Sequence, residues 1–276
     1  MKKILYRVVI VVLLAVFAYS GYSLIAYYID SRENEQAYEN LAQMLVDRPT
    51  VPLPQTPDSE TVPAQTQPEQ ELVTVQNPET GEMLQILPDY AQLYSLNPDL
   101  VGWISIDGTN INYPVVQSDP DNANYYLNRN FFKEDSAHGC IYAIEEADVF
   151  APSDNIILYG HRMADHSMFG QLGLYTEKDF WQQHPYIRFD TLQERHLYQI
   201  ICVFSTSVSA GEGFAYHSFV DAADPSDFSA YISQCQALSY YDTGITAAFG
   251  DKLITLSTCE YTHHNGRLVV VAKRIT

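Results

Sequence analysis

The residues with the clearest chemical potential are a cysteine, a histidine and an arginine next to short apolar runs. Cys259 lies just past one such run, and Arg267 comes eight positions later, at the start of another. His161 follows a third run at 155–159, separated from it by one glycine. A thiol, an imidazole and a guanidinium at three strand ends supply a nucleophile, a proton carrier and an anion-stabilising group, which together suit covalent catalysis.

Two predicted strands position the cysteine and the arginine. The runs 253–256 and 268–271 are short, apolar and rich in β-branched residues, as buried strands are. An Asn-Gly pair at 265–266 is a turn signal between them. Pairing of these strands would bring Cys259 and Arg267 to the same rim of a sheet.

Three sequence features together resemble a known family. They are the segment TLSTCE at 255–260, the arginine eight residues after its cysteine, and YGH at 159–161. The combination closely resembles the sortases, the cysteine transpeptidases of Gram-positive cell surfaces, from about residue 97 to residue 276. Helical sequence ahead of the first strand and a predicted helix between the sixth and seventh strands favour class B over class A.

The resemblance implies roles for the three residues. Cys259 would attack a backbone carbonyl of a C-terminal sorting signal, at a Thr-Gly or Thr-Asn bond of a surface protein. His161 would protonate the departing amine, and Arg267 would donate hydrogen bonds to the substrate or the developing oxyanion. An amine of the peptidoglycan precursor would then resolve the thioacyl enzyme. The resemblance also implies substrate-binding residues beside the cysteine: Ser257, Thr258 and Glu260.

Several alternatives remain open at this stage. The accepting amine could be a pilin lysine, which would make the protein a pilin-polymerising sortase. A non-catalytic, membrane-tethered surface-binding domain is another possibility. Arg274 is a rival for the role of Arg267, although it lies at the far end of its strand.

A zinc-binding domain is a further alternative. Its ligands would be His161, His166, Cys259 and His263. These residues lack the paired close spacings of structural zinc motifs. We therefore expect no metal and no other cofactor. His263 and His264 lie in the connection between Cys259 and Arg267, and we expect them to line the site without proton transfer.

The other three cysteines have the pattern of buried thiols. Cys140 and Cys202 lie inside apolar runs, and Cys235 lies on the apolar stripe of the helix predicted at 224–238; an unpaired thiol in such places packs as a small hydrophobic group. A disulfide between Cys140 and Cys202 is the alternative that an oxidising exterior would permit.

The N-terminus predicts a membrane anchor. Residues 1–7 carry three basic residues, and residues 8–29 contain no charge over 22 positions, which is long enough to span a bilayer as a helix. A cleaved signal peptide would have a shorter apolar core and a small-residue cleavage site, whereas this span ends in bulky residues. The charge bias places residues 1–7 in the cytoplasm and the rest of the chain outside the cell.

Composition divides the exterior part further. Residues 30–46 have helical spacing of apolar residues and predict a juxtamembrane helix. Seven of the 14 prolines fall in residues 47–82, which predicts a semi-extended linker. Residues 83–276 form the predicted catalytic domain. The formal net charge of −19 would repel nucleic acid, so we expect no nucleic-acid partner.

The catalytic domain is predicted to be mainly β with added helices. Short apolar runs with turns between them indicate a closed barrel of seven to eight strands rather than a parallel sheet. Asp224 and Pro225 are signals for the start of a helix at 224–238. Further helices are predicted at 84–94 and 168–181. The predicted strands lie at 101–106, 111–116, 140–144, 155–159, 186–189, 197–204, 253–256 and 268–271.

Overall fold

The computed structural model describes residues 2–54, 71–209, 212–260 and 265–276. The chain divides into two compact units, Met1–Asn40 and Leu41–Thr276. Most of the first helix, α1 (Lys2–Gln43), lies in the first unit. Within the described ranges, one helical segment, Tyr6–Gln43, is long and apolar enough to cross a membrane, and its apolar window is unburied.

The described part of the second unit contains a two-stranded hairpin, a barrel and three complete α-helices. The strands are β1 (Val73–Gln76), β2 (Met83–Ile86), β3 (Leu100–Ser105), β4 (Asn112–Val116), β5 (Ile141–Ala143), β6 (Asn155–Tyr159), β7 (Tyr186–Thr191), β8 (Arg195–Ser207), β9 (Leu253–Glu260) and β10 (Gly266–Arg274). The helices are α2 (Ala91–Leu96), α3 (Lys178–Gln183) and α4 (Pro225–Leu238).

Eight of these strands close into a barrel. Their spatial order is β10-β8-β7-β3-β4-β5-β6-β9, and β9 pairs with β10 to complete the ring. Most neighbours are antiparallel, but β4 pairs with β5 and β6 pairs with β9 in parallel. Helix α4 lies between the sixth and seventh barrel strands in chain order. The predicted fold class, a mainly β closed barrel with this helix, is confirmed.

Helix α4 begins where the sequence predicts. The side chain of Asp224 accepts hydrogen bonds from the backbone amides of Ser226 and Asp227, and Pro225 occupies the first turn. These contacts satisfy amides that have no partner within the helix. Its buried stripe includes Phe228, Ile232 and Cys235, which belongs to the same apolar cluster as Cys202 and Phe204 of β8.

Two predicted helices are wrong in extent. In place of a helix at 84–94, the chain forms β2, a 3-10 turn at Pro88–Tyr90 and the short α2. Pro88 has no amide hydrogen and cannot continue a helix from the preceding residues, so it starts a new turn. In place of a helix at 168–181, a 3-10 segment, Gly170–Thr176, precedes α3.

Part of the range predicted as a linker has defined structure. Strand β1 lies within 47–82 and pairs with β2, which lies beyond it. Val51 is buried, and its carbonyl accepts a hydrogen bond from Arg188 of β7. Residues before and after 55–70 thus both belong to the folded unit. Residues 55–70 themselves lie outside the described ranges.

A buried ionic cluster connects Arg48 to the barrel. Its Nε lies 3.4 Å from a carboxylate oxygen of Asp190, and its guanidinium lies over the ring of Trp103 at 5.7 Å. The hydroxyl of Tyr90 donates to the same Asp190 oxygen at 2.8 Å. Burial raises the pKa of Asp190, while the bond from Tyr90 and the charges of Arg48 and Arg195 act in the opposite direction.

We predict that Arg48→Ala lowers the free energy of unfolding by about 3 kcal/mol, because Asp190 stays buried with one counter-charge fewer. Urea unfolding of residues 41–276 measures this. The matched control is Arg129→Ala, whose pair with Asp135 is exposed and should be worth less than about 1 kcal/mol. Equal losses in the two variants would contradict a stabilising role for the buried cluster.

Candidate active site

Cross-strand pairing sets Cys259 opposite Arg267. The two residues are direct partners in the antiparallel register of β9 and β10. Side chains of directly opposed residues project from the same face of a sheet, with Cβ atoms about 5 Å apart. The thiol and the guanidinium therefore share one face at one rim of the barrel, as the sequence predicted.

Parallel pairing of β6 with β9 brings His161 to the same rim. Tyr159, the last residue of β6, is the register partner of Ser257. His161 and Cys259 each lie two residues further along in the same direction, so the imidazole leaves the strand end at the level of the thiol. The three predicted catalytic residues are thus brought together by the hydrogen-bonded order β6-β9-β10.

Gly160, between the end of β6 and His161, allows the chain to pack closely against β9. Its amide donates to the carbonyl of Ser257 at 3.2 Å, and its own carbonyl accepts from the Thr258 hydroxyl at 2.8 Å. A Cβ at this position would lie 2.4 Å from Ile141 and 2.7 Å from Phe169. A glycine is therefore required here by the close packing.

The orientation of the His161 ring is set by a backbone carbonyl. Its Nε2 lies 2.7 Å from the carbonyl oxygen of Leu127. A carbonyl oxygen only accepts hydrogen bonds, so Nε2 carries a proton. In the neutral ring, the lone pair is then on Nδ1, the nitrogen that remains available for proton transfer.

Cys259 is the accessible thiol among the four. It is partly exposed, whereas Cys140, Cys202 and Cys235 are buried, and none of the four is in a disulfide. The burial of the other three is as predicted from their apolar surroundings. The alternative Cys140–Cys202 disulfide is not formed.

Two tyrosines lie close enough to Cys259 and Arg267 for these residues to affect the pKa values of their hydroxyls. The pKa values of Tyr142 and Tyr216 are both raised, and burial is the largest cause. Among the smaller effects, the positive charge of Arg267 lowers the two pKa values and Cys259 raises them. Both phenols are therefore protonated at neutral pH; the Tyr142 hydroxyl donates to the Asn124 side chain at 2.9 Å, and the Tyr216 hydroxyl shares a hydrogen bond with Ser257.

The predicted substrate-binding residues have different surroundings. Ser257 and Cys259 lie on the same face of β9, because alternate strand residues do. Ser257 is 1% exposed, and its hydroxyl is 2.6 Å from that of Tyr216. Thr258 is on the opposite face, 2% exposed and bonded to Gly160. Contact between Thr258 and a substrate would thus have to use its backbone.

Other candidates lie further away or outside the described residues. Arg274 is at the opposite end of β10, where it pairs with Tyr198. The side chain of Glu260 and all of His263 and His264 fall outside the described part. Among the residues that the structure does describe, no group of three or more His, Cys, Asp or Glu side chains could hold a metal ion.

Sequence reasoning missed Leu127, Tyr142 and Tyr216. Leu127 acts through its backbone carbonyl, which has no signature in the residue type. Tyr142 lies in a strand predicted for its apolar character alone. Tyr216 lies in the segment between β8 and α4, for which no conformation is predicted from the sequence. Each contact joins residues distant in the chain.

Comparison with known proteins identifies relatives of the chain. A sequence profile described as a sortase domain matches residues 104–275. Sortase B of Staphylococcus aureus (strain NCTC 8325 / PS 47) is 26% identical over 274 residues, which is 98% of this chain and 95% of the relative. Sortase B of Listeria monocytogenes serovar 1/2a (strain ATCC BAA-679 / EGD-e) is 32% identical over 194 residues, covering 70% and 76%.

Solved structures show the same similarity. Sortase B from Bacillus anthracis in complex with AAEK1 has a TM-score of 0.66 and 29% identity, covering 90% of this chain and 98% of that one. A Staphylococcus aureus sortase B–substrate complex has a TM-score of 0.62 and 30% identity, covering 68% and 85%. A sortase B complexed with triglycine has the same TM-score, identity and coverage.

The exposure pattern of the thiols predicts selective alkylation. Brief treatment of the native protein with iodoacetamide should modify Cys259 alone, because the other three thiols are buried. Mass spectrometry of proteolytic peptides locates the label, and denatured protein should be labelled at all four cysteines. The Cys259→Ala variant is the control and should take up no label when native. Early labelling of Cys235 or Cys202 would contradict the assignment of the accessible thiol.

Proposed function

Because the chain belongs to the sortase family and is a class B cysteine transpeptidase, we propose that it anchors surface proteins to the cell wall. In this proposal it cleaves a C-terminal sorting signal at a Thr-Gly or Thr-Asn bond. The acyl group passes through a thioester on Cys259 to an amine of the peptidoglycan precursor. The observation that carries the proposal is the register of three adjacent strands, which gathers His161, Cys259 and Arg267 at one rim.

The first half of the reaction forms the thioester. The thiolate of Cys259 bonds to the carbonyl carbon of the substrate threonine, and the negative charge moves to the carbonyl oxygen. Arg267, directly across from Cys259, donates hydrogen bonds to this oxyanion or to the substrate. When the C–N bond breaks, His161 gives a proton to the departing amine.

The second half of the reaction releases the product. An incoming amine loses a proton to His161 and attacks the thioester carbon. The C–S bond breaks, and Cys259 returns to the thiolate form. One histidine thus serves as acid in the first step and as base in the second, which restores the enzyme to its starting protonation state.

Relatives support the two classes of partner in this scheme. One similar structure is described as a sortase B–substrate complex and another as a complex with triglycine. Both descriptions apply to those proteins. By similarity, we propose that this enzyme takes a sorting-signal peptide as acyl donor and a terminal amine of the cell wall precursor as acceptor. Ser257, Thr258 and Glu260 are proposed to flank the donor.

The N-terminal helix is proposed to hold the enzyme at the cell membrane. Residues 1–7 would form the cytoplasmic tail, 8–29 the single span and 30–46 its outward extension. The basic residues before the span favour a cytoplasmic N-terminus. Residues 47–82 would link the helix to the extracellular catalytic domain, 83–276, with β1 and the contacts of Arg48 as ordered parts of that link.

We predict that a fluorogenic peptide with a sorting-type Thr-Gly or Thr-Asn bond is cleaved by the full chain in detergent. Cys259→Ala and His161→Ala should abolish cleavage, because the nucleophile or the proton carrier is lost. Arg267→Lys should lower kcat/KM by about 100-fold, since lysine cannot reproduce the planar donor pair of arginine. Added triglycine should convert part of the hydrolysis product into a transpeptidation product.

The matched control is Arg274→Lys, the same substitution at the other end of the same strand. Its activity should stay within about twofold of the parent enzyme, because Arg274 lies at the opposite end of β10 from Cys259 and lysine keeps its positive charge. Cleavage that persists in the Cys259→Ala variant would remove the covalent mechanism. A severe loss in Arg274→Lys with full activity in Arg267→Lys would show that the wrong arginine has been assigned.

A further inference from the structure

The carbonyl that orients His161 belongs to a tightly held 3-10 turn, Tyr125–Asn128. The carbonyl of Tyr126 accepts from the amide of Cys140 at 3.0 Å, and that of Asn128 accepts from the amide of Ser136 at 3.0 Å. The Leu127 carbonyl lies between these two along the chain and accepts instead from His161. Both neighbours of the orienting carbonyl are therefore fixed to the segment that leads into β5.

Gly139 lies against the same carbonyl. Its φ is +60°, and a Cβ there would lie 2.5 Å from the Leu127 oxygen and 2.7 Å from the Tyr126 oxygen. Contacts below 3.0 Å with backbone atoms cannot be relieved without moving the backbone. A side chain at position 139 would thus displace the hydrogen-bond acceptor of His161.

A buried polar cluster fixes the turn from its other side. The Tyr126 hydroxyl donates to Asp99 at 2.6 Å and accepts from the Asn97 amide at 2.9 Å. The Asn97 amide also donates to the Phe131 carbonyl at 2.8 Å. Tyr126 and Asn97 are 0% and 1% exposed. Buried polar groups are costly unless fully bonded, and a bonded cluster holds its members in one arrangement.

A phenylalanine ring at position 126 would occupy the place of the tyrosine ring but would lack the hydrogen bonds that the hydroxyl makes. The Tyr126 hydroxyl gives the turn a fixed position relative to Asn97 and Asp99. Because Leu127 follows Tyr126 directly in the chain, fixing Tyr126 also restricts where the Leu127 carbonyl can lie. The cluster does not include the thiol or the guanidinium, and the Leu127 carbonyl connects its turn to His161.

We propose that Tyr126 and Asn97 are positioning residues for His161, which hold the Leu127 carbonyl so that the neutral imidazole keeps its proton on Nε2. Nδ1 is then the nitrogen that gives and takes the catalytic proton. The effect on rate rests on the proposed function, whereas the effect on the imidazole does not. Loss of the Tyr126 hydroxyl should loosen the acceptor, so that part of the neutral ring carries its proton on Nδ1.

The test compares removal of two neighbouring hydroxyls from the same turn. Tyr126→Phe removes the one in the cluster. Tyr125→Phe is the matched control: the half-buried Tyr125 ring stacks on Arg129 and packs edge-on against Tyr126, but its hydroxyl takes no part in the hydrogen bonds of the cluster. Nitrogen-15 NMR of the full chain in micelles, labelled in histidine and recorded where the ring is neutral, reports the tautomer. A His161→Gln spectrum assigns the signal.

The expected result is a mixed tautomer in Tyr126→Phe and the Nε2-H tautomer in the parent protein and Tyr125→Phe. Peptide cleavage by Tyr126→Phe should show kcat lower by about tenfold, with KM changed by less than about twofold, as expected for a misplaced catalytic group. Gly139→Ala moves the carbonyl directly and should change the tautomer in the same direction. If Gly139→Ala does not fold, Tyr126→Phe carries the test.

An unchanged tautomer in folded Tyr126→Phe would overturn the proposal, even if the variant were less stable. A mixed tautomer with unchanged kcat would overturn its catalytic part. Failure of the proposed function is a separate outcome: the parent protein would then cleave no peptide, or Cys259→Ala would cleave as well as the parent. The tautomer would remain measurable in either case, because the NMR experiment needs no turnover.

Discussion

The site depends on the pairing of one strand, β9, with a different neighbour on each side. It pairs in parallel with β6 and antiparallel with β10, and both ladders continue to the rim where the functional side chains lie. Side chains alternate between faces along a strand, so a slip of one residue in either ladder would turn Cys259 away from its partners. Buried apolar residues along β9 and β10 oppose such a slip, because it would expose the core.

The three functional groups are positioned in different ways. Cys259 and Arg267 lie on paired strands, which suits the groups that form the covalent bond and stabilise its charge. His161 lies two residues beyond the end of β6, and its ring is oriented by a carbonyl of a separate turn. Preorganised geometry of this kind lowers the entropy cost of bringing reactants and catalytic groups together. The strand register thus sets the spacing of the functional side chains, and the turn sets which nitrogen of the His161 ring carries the proton.

Sequence reasoning succeeded where the determinants are local. Short runs between turn signals marked all eight barrel strands, and the Asn-Gly signal agrees with Asn265, which has a φ of 51°. It failed where a local pattern competes with a distant partner. The apolar spacing at 84–94 fits a helix, but Met83–Ile86 pairs with β1. The contacts of Arg48 and Leu127 could not be predicted, because each joins residues remote in sequence and one uses only backbone.

The most direct measurement of the central claim is the intact mass of the enzyme during turnover. The full chain is mixed with a Thr-Gly peptide in the absence of an amine acceptor, quenched with acid and analysed by mass spectrometry. The account predicts a covalent adduct with the mass of the N-terminal peptide fragment, located on Cys259 and discharged by triglycine. Turnover without any adduct, or an adduct on another residue, would contradict it.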